Sequence, residues 1–253
     1  MKLNIDKLKS DFQLYSSEWL NTEEYNAYIY NKFGIEVDSH ECLTLHCDVI
    51  TEHKLAFGEK PFLYLWPLIV SQIPDGGKFL EIGVYKGSIL ALTQLIAREL
   101  GKSLTSYGLT PLSNVGDKYS NYMNSDYGND ISFLFYKLNL DTENTIIIPG
   151  LSTDLEVKEA AKDQGPYDAV YIDGGHDYET VINDIELTDK ILKPGGLLIM
   201  DDASSLLSLS KNHPGFPGHE DVALAIRDDL DKRSNYKHLF ACGHNRVWKK
   251  LNQ

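Results

Sequence analysis

A doubly wound α/β fold, built on a mostly parallel sheet and preceded by a helical extension, is predicted by three features of this 253-residue sequence. Short, near-continuous apolar runs alternate with amphipathic helical segments from Lys78 onward, which is how strands buried on both faces and their crossover helices read. One such run passes into a helix through two glycines, Gly83 and Gly87. Several runs also finish in polar or acidic residues, as strands do where a parallel sheet binds ligands.

Residues 1–56 read as a tyrosine-rich helical extension, in which "EEYNAYIYNKFG" predicts a helix with Gly34 as its stop. Within this extension "VDSHECLTLHCDVITEH" gathers His40, Cys42, His46, Cys47 and His53. Its alternation suits a strand or loop, and its spacing matches no paired zinc-ligand pattern. The main domain is expected over 57–253. There "PFLYLWPLIVSQI" is a buried helix stopped by "PDGG", and "KFLEIGV" is a strand. The following "YKGSILALTQLIAREL" is a helix with Ile89, Leu92, Ile96 and Leu100 on one face. "SLTSYGL" and "NTIIIPG" are the next strands. "YDAVYID" and "GLLIMDD" flank a helix whose Val181, Ile185 and Leu192 share a face. "EDVALAIRDDL" is a further amphipathic helix, and "YKHLFACGHNRVWKK" closes the chain as a hairpin with Gly243 and Asn245 near its turn.

The formal net charge of −13 repels phosphate backbones, so nucleic acid is not an expected partner. No apolar run approaches the roughly 20 residues of a membrane helix, and the first residues lack the apolar stretch of a secretory signal. Three cysteines, an odd number, argue for a reducing compartment rather than a disulfide framework. A cytoplasmic enzyme acting on a small molecule, with a homo-oligomer compatible, is the expectation.

The turn in "LEIGVYKGSIL" can bring a ligand close to backbone N–H groups at a helix start. The dinucleotide fingerprint G-x-G-x-x-G is not met, because Tyr85 stands where its middle glycine belongs. The spacing is instead an acid, Glu81, followed by G-x-x-x-G, and this resembles the first motif of class I S-adenosylmethionine-dependent methyltransferases. The stretch "YDAVYIDGGHDYETVINDIELTDKILKPGGLLIMDD" is similar to a subgroup of that superfamily, the metal-dependent sugar O-methyltransferases of macrolide, aminocoumarin and polysaccharide biosynthesis. The resemblance runs from Phe79 to Asp202. It implies a Rossmann-like, seven-stranded sheet with one antiparallel strand and S-adenosyl-L-methionine over the strand ends. Glu81, Gly83, Tyr85, Gly87 and Ser88 would border that cofactor, with Asp173 beside them, Thr110 where the family carries a ribose-binding acid, and Leu151 and Ser152 near the adenine. Asp117 is a candidate substitute for the missing ribose acid.

Asp173 ends one strand run; Asp201 and Asp202 end the next. On neighbouring strands about 4.8 Å apart their carboxylates can share one ion, and oxygen ligands select Mg2+ first. The resemblance implies the same three as metal ligands. Adjacent strand residues face opposite ways, so Asp201 and Asp202 both reach an ion only if the strand stops between them. His176 precedes a helix whose dipole is expected to keep the ring neutral, as a general base requires; the resemblance makes it the base, with Asp173 beside it in catalysis. The expected reaction is methyl transfer to a hydroxyl of a small molecule, a sugar or glycoside. Metal-independent N-methylation of an amine or amino sugar, an NAD-dependent oxidoreductase and a non-catalytic nucleoside-binding module are the alternatives. The loop "SSLLSLSKNHPGFPGH", with His213 and His219, and residues 1–56 are expected to cover the acceptor.

Overall fold

The structure, a computed structural model, describes residues 1–20, 22–119, 126–205 and 215–252. Its centre is a seven-stranded sheet in the order β3-β2-β1-β4-β5-β7-β6, with β1 Gly77–Ile82, β2 Leu104–Thr110, β3 Thr145–Pro149, β4 Tyr167–Ile172, β5 Leu192–Met200, β6 Tyr236–Cys242 and β7 Asn245–Lys250. The first five strands are parallel; β7 runs antiparallel between β5 and β6. The expected α/β sheet, its antiparallel strand and the closing hairpin are all present.

Successive strand residues alternate between two cores, because side chains along a strand point to opposite faces. Phe79, Ala169, Tyr171, Leu197 and Ile199 face one cluster, while Leu80, Ile82, Val170, Ile172, Leu198 and Met200 face the other. The first face is covered by α4 Leu65–Gln72, α5 Ser88–Glu99 and α6 Tyr127–Lys137, and the second by α7 Leu155–Gln164, α8 Tyr178–Ile191 and α9 Glu220–Asp228. Helices α6 and α7 stand where the sequence pattern predicts no element. Trp66 of α4 meets Phe79 and Tyr171 edge-on, with centroids 5.7 and 4.8 Å apart.

The N-terminal region forms α1 Ile5–Glu18, α2 Glu23–Ser39 and α3 Glu41–His53, which join the first core through Leu8, Phe12, Ile29, Phe33, Val37 and Leu43. Two expectations change here. Gly34 does not stop α2, which continues to Ser39. Fully buried Phe33 and Val37 lie one turn apart on one face, and their burial outweighs the roughly 1 kcal/mol cost of a mid-helix glycine. The segment read as strand or loop is α3, because its buried positions, Cys42, Leu43, His46 and Ile50, follow the helical period. Its histidines are engaged separately: His40 Nδ1 meets the Glu36 carbonyl at 2.7 Å, and His46 Nε2 meets that of Ser88 at 3.0 Å.

Register brings the site together. Ile82 pairs with Leu109 and with Ile172, and Ile172 with Met200, so β1, β2, β4 and β5 stop at one level. The residues that follow continue the ladder: Gly83 N–H donates to Leu109 O, Asp173 N–H to Ile82 O and Asp201 N–H to Ile172 O, at 2.8–3.0 Å. Gly83, Thr110, Asp173 and Asp201 therefore stand side by side along the carboxyl edge, beside the point where the chain's winding reverses between β1 and β4.

Candidate active site

A cavity of about 610 Å³ opens over this edge. Among its described lining are Glu81, Gly83, Tyr85, Ser88, Thr110, Ser152, Asp173, His176, Asp201 and Asp202. All but one of the singled-out site residues thus surround one space. The exception is Gly87, which does not line it. Its φ is +84°, and a Cβ there would lie 2.8 Å from Ile131 Cγ1 of α6. This glycine serves the turn and the seating of α6. Gly83 (φ +91°) lines the cavity, yet a Cβ on it would sink into the Asp173 carbonyl, so backbone packing already demands glycine.

Glu81 is 2% exposed and its Oε2 has no hydrogen-bond partner. Burial, reinforced by the Asp201 charge, pushes its carboxyl well above the usual range. A buried carboxylate oxygen without a partner costs on the order of 1–3 kcal/mol or more. Its position in the wall fits a ligand that donates hydrogen bonds or carries positive charge. Tyr85 holds φ +46°, with its ring 5.0 Å from Tyr127 and 5.2 Å from Phe57. Thr110 Oγ1 accepts from Leu112 N–H at 3.2 Å. Asn183 donates to the Ser152 carbonyl at 3.1 Å.

Asp117, the candidate substitute for the ribose acid, is engaged by His176. Its Oδ2 accepts from His176 N–H at 2.9 Å and lies 2.7 Å from His176 Nδ1. His176 Nε2 sits 3.1 Å from Asp202 Oδ2. Burial lowers the pKa of His176, but Asp202 and Asp117 outweigh it, so the net shift is upward from 6.5. The two carboxylates at contact distance thus oppose the α8 dipole that was expected to favour the neutral ring, and they act more strongly than partial charges at a helix end.

Asp201 and Asp202 both reach the site because β5 stops at Met200 and the backbone turns, with Asp202 in the left-handed region at φ +54°. Asp201 Oδ1 accepts from Asn245 Nδ2 at 2.7 Å and lies 3.1 Å from His244 Nε2. Burial pushes Asp201 up, but His244 and a hydrogen bond from Asp173 hold it down at about 2. Asp173 moves the other way: burial, then the charges of Asp201, Asp202 and Glu81, push its carboxyl well up. The two neighbouring carboxyls are therefore pushed in opposite directions, and Tyr171 OH donates to Asp173 Oδ2 at 3.2 Å. Crowded carboxylates of this kind, with imidazoles beside them, fit a divalent cation, which would relieve the repulsion.

Two groups of described residues bring potential ligand atoms within 4.8 Å of one another: His176, Asp202 and His219, and Asp201, Asp202 and His244. Asp173, expected as the third ligand, belongs to neither group but is hydrogen-bonded with Asp201, and two histidines from the chain's last third join the acids. The His219 ring lies tilted against both His176 and Tyr119, with centroids 4.5 Å apart in each pair. His244, in the turn between β6 and β7, joins the site without being marked by any motif in the sequence. A histidine between the Gly243 and Asn245 turn residues was the available signal, but the strand beside which the hairpin would lie was not. His213 lies outside the described residues, as does 206–214 of the expected acceptor loop.

Strand order, the winding reversal and a cavity over the carboxyl edge define a class I methyltransferase fold. Residues 80–203 match the family model described as a methyltransferase domain. Among solved structures it is similar to the O-methyltransferase NovP, at 17% identity and TM-score 0.54, covering 76% of this chain and 80% of that one. An O-methyltransferase from Bacillus cereus in complex with S-adenosylhomocysteine (SAH) shares 16% identity at TM-score 0.54, over 98% of this chain and 100% of that one. The O-methyltransferase TomG from Streptomyces achromogenes, involved in tomaymycin synthesis and solved with S-adenosylmethionine, shares 14% at TM-score 0.55, over 99% and 100%. No curated protein matches in a sequence comparison.

Proposed function

We propose that this chain transfers the methyl group of S-adenosylmethionine to a hydroxyl of a small, uncharged acceptor, a sugar or glycoside, with a divalent cation and His176 as general base. The observation that carries the reading is a single cavity with two unlike ends. One holds the Glu81 carboxyl, its Oε2 without a hydrogen-bond partner, beside the glycine turn; the other holds Asp201, Asp202 and His176. S-adenosylmethionine supplies the activated methyl group, and a cation between the acids lowers the pKa of the acceptor hydroxyl.

The chain's own residues do the rest. Glu81 accepts hydrogen bonds from the cofactor, and Tyr85, Ser88, Thr110 and Ser152 border it. Asp173 sits between the cofactor end and the acid cluster. Asp117 accepts the Nδ1 proton of His176 and so orients Nε2 toward the cluster, where it takes the acceptor's proton. The described lining contains no Lys or Arg, which supports a neutral acceptor over a phosphorylated one.

Calorimetric titration with SAH tests the cofactor half: Glu81→Gln should bind at least about tenfold more weakly in a folded protein, as expected for a hydrogen bond to a charged group. Methyl transfer to a panel of glycosides, with and without chelator, tests the other half. Turnover that vanishes with chelator and returns with added cation supports the reading. Full turnover in excess chelator would favour an amine acceptor instead.

A further inference from the structure

The acids Asp201 and Asp202 suggest an oxygen-only site, but an imidazole nitrogen also faces them. His244 Nε2 lies 3.1 Å from Asp201 Oδ1 and 3.9 Å from Asp202 Oδ1. Ligands at right angles around a cation about 2.1 Å away stand roughly 3.0 Å apart, so the spacing is that of neighbouring ligands. The other ring nitrogen, Nδ1, lies 2.8 Å from the Phe216 carbonyl. A carbonyl only accepts, so Nδ1 carries the hydrogen and a neutral ring turns the Nε2 lone pair toward the two carboxylates. Metal-binding histidines are oriented in this manner.

The ring is also held in place. His244 is 7% exposed and meets the Phe62 ring edge-on at 4.4 Å. Its turn is strapped from both sides. Gly243 N–H donates to Asn26 Oδ1 at 3.0 Å, Ser204 Oγ donates to the Gly243 carbonyl at 3.0 Å, and Ala203 N–H donates to the His244 carbonyl at 2.9 Å. Asn26 itself is buried in α2, so the helical extension reaches across to fix the hairpin turn at the site.

We infer that His244 is a ligand of the cation held by Asp201 and Asp202, giving a mixed imidazole–carboxylate site that takes a borderline transition-metal ion, such as Mn2+ or Co2+, in preference to Mg2+. This rests on the proposed reading of those acids as cation ligands. A cation replaces the proton that His244 and Asp201 otherwise share, and that proton leaves to solvent. Carboxylate and water suit Mg2+, whereas imidazole raises affinity for transition metals.

The test uses the full chain, stripped with chelator and titrated with Mn2+ followed by electron paramagnetic resonance, with Mg2+ as competitor. Wild type should bind Mn2+ at least about tenfold tighter than Mg2+, and pulsed measurements should show 14N coupling from a directly bound imidazole. His244→Gln should weaken Mn2+ at least about tenfold and lose that coupling. The coupling should survive in a His176→Asn, His219→Asn double variant, which identifies the nitrogen even if His244→Gln does not fold. Absence of 14N coupling in wild type, its loss in the double variant, or its persistence in His244→Gln each overturns the inference. SAH titration of the same samples separates the two readings. Intact SAH binding without 14N coupling sinks only the ligand assignment, while failure to bind SAH sinks the proposed function and leaves the metal result to stand alone.

Discussion

Asp117 accepts two hydrogen bonds from one residue, the backbone N–H and the Nδ1 side of His176, and this fixes both where the ring sits and which nitrogen faces the acids. An amide at position 117 could present an N–H to the ring and favour the wrong tautomer. Asp117→Asn should therefore lower kcat by on the order of a hundredfold to ten-thousandfold, the usual worth of a general base, while SAH affinity changes less than about threefold; steady-state kinetics beside calorimetry checks the split. Asp117→Glu, which keeps the carboxylate, should recover part of the rate. His176→Asn should lose as much as Asp117→Asn and not more when the two are combined, because they act as a unit.

The turns and helices that frame the site make their own predictions. Gly83 and Gly87 look equivalent in the motif, but their surroundings differ. A Cβ at Gly83 meets the backbone of Asp173 and Gly174, which cannot move without breaking the β1–β4 edge, while the nearest atoms to one at Gly87 belong to the Ile131 side chain, which can shift with α6. Gly87→Ala should cost about 1–3 kcal/mol from its positive φ and local overpacking and leave SAH affinity nearly unchanged; Gly83→Ala should cost more. Thermal and urea unfolding rank them. On α8, Asp184 is fully buried with Oδ2 unpartnered. Burial raises its pKa to about 6, against hydrogen bonds from Ser152 and Asn183 and the Lys158 charge, which pull it down. The folded state therefore holds this proton more tightly than the unfolded chain, whose value is near 3.8. Stability falls as pH rises from about 4 to 6, and Asp184 contributes a loss of about 3 kcal/mol above that window. Asp184→Asn should lack this fall, so its stability relative to wild type should improve from pH 4 to pH 7.5 in urea titrations.

Across the whole molecule, the charge of −13 has a local counterpart in a cavity walled by Glu59, Glu81, Asp117, Asp173, Asp177, Asp201 and Asp202, with no Lys or Arg among its described lining residues. Such a field raises the local concentration of cations and disfavours anions. For one sugar offered both as a neutral glycoside and as its phosphate monoester, the neutral form should have the higher kcat/KM, measured by SAH release. The gap should narrow as salt is raised, since screening weakens the repulsion. No helix among the described residues is long and apolar enough to cross a membrane.

The strands in their chain order, the helices between them other than α6 and α7, and the acids at the sheet's carboxyl edge were legible in the sequence, because they depend on local periodicity and on which residue ends a run. Glu81, Asp173, Asp201 and Asp202 could be named for that reason. What the sequence left undecided depends on contacts between distant segments. The register decides that four strands stop at one level, and the break after Met200 decides that Asp201 and Asp202 turn to the same cluster. Period 2 and period 3.6 are hard to separate over short runs, so α3 passed for a strand, and core burial carried α2 through Gly34. Asp117 meets His176 across 59 residues, Asn26 meets Gly243 across 217, and His244 reaches Asp201 across a hairpin whose place beside β5 no local pattern encodes. Electrostatics followed the same division. A helix dipole can be anticipated from a helix start, but two carboxylates folded against His176 oppose it more strongly, and only tertiary structure brings them there.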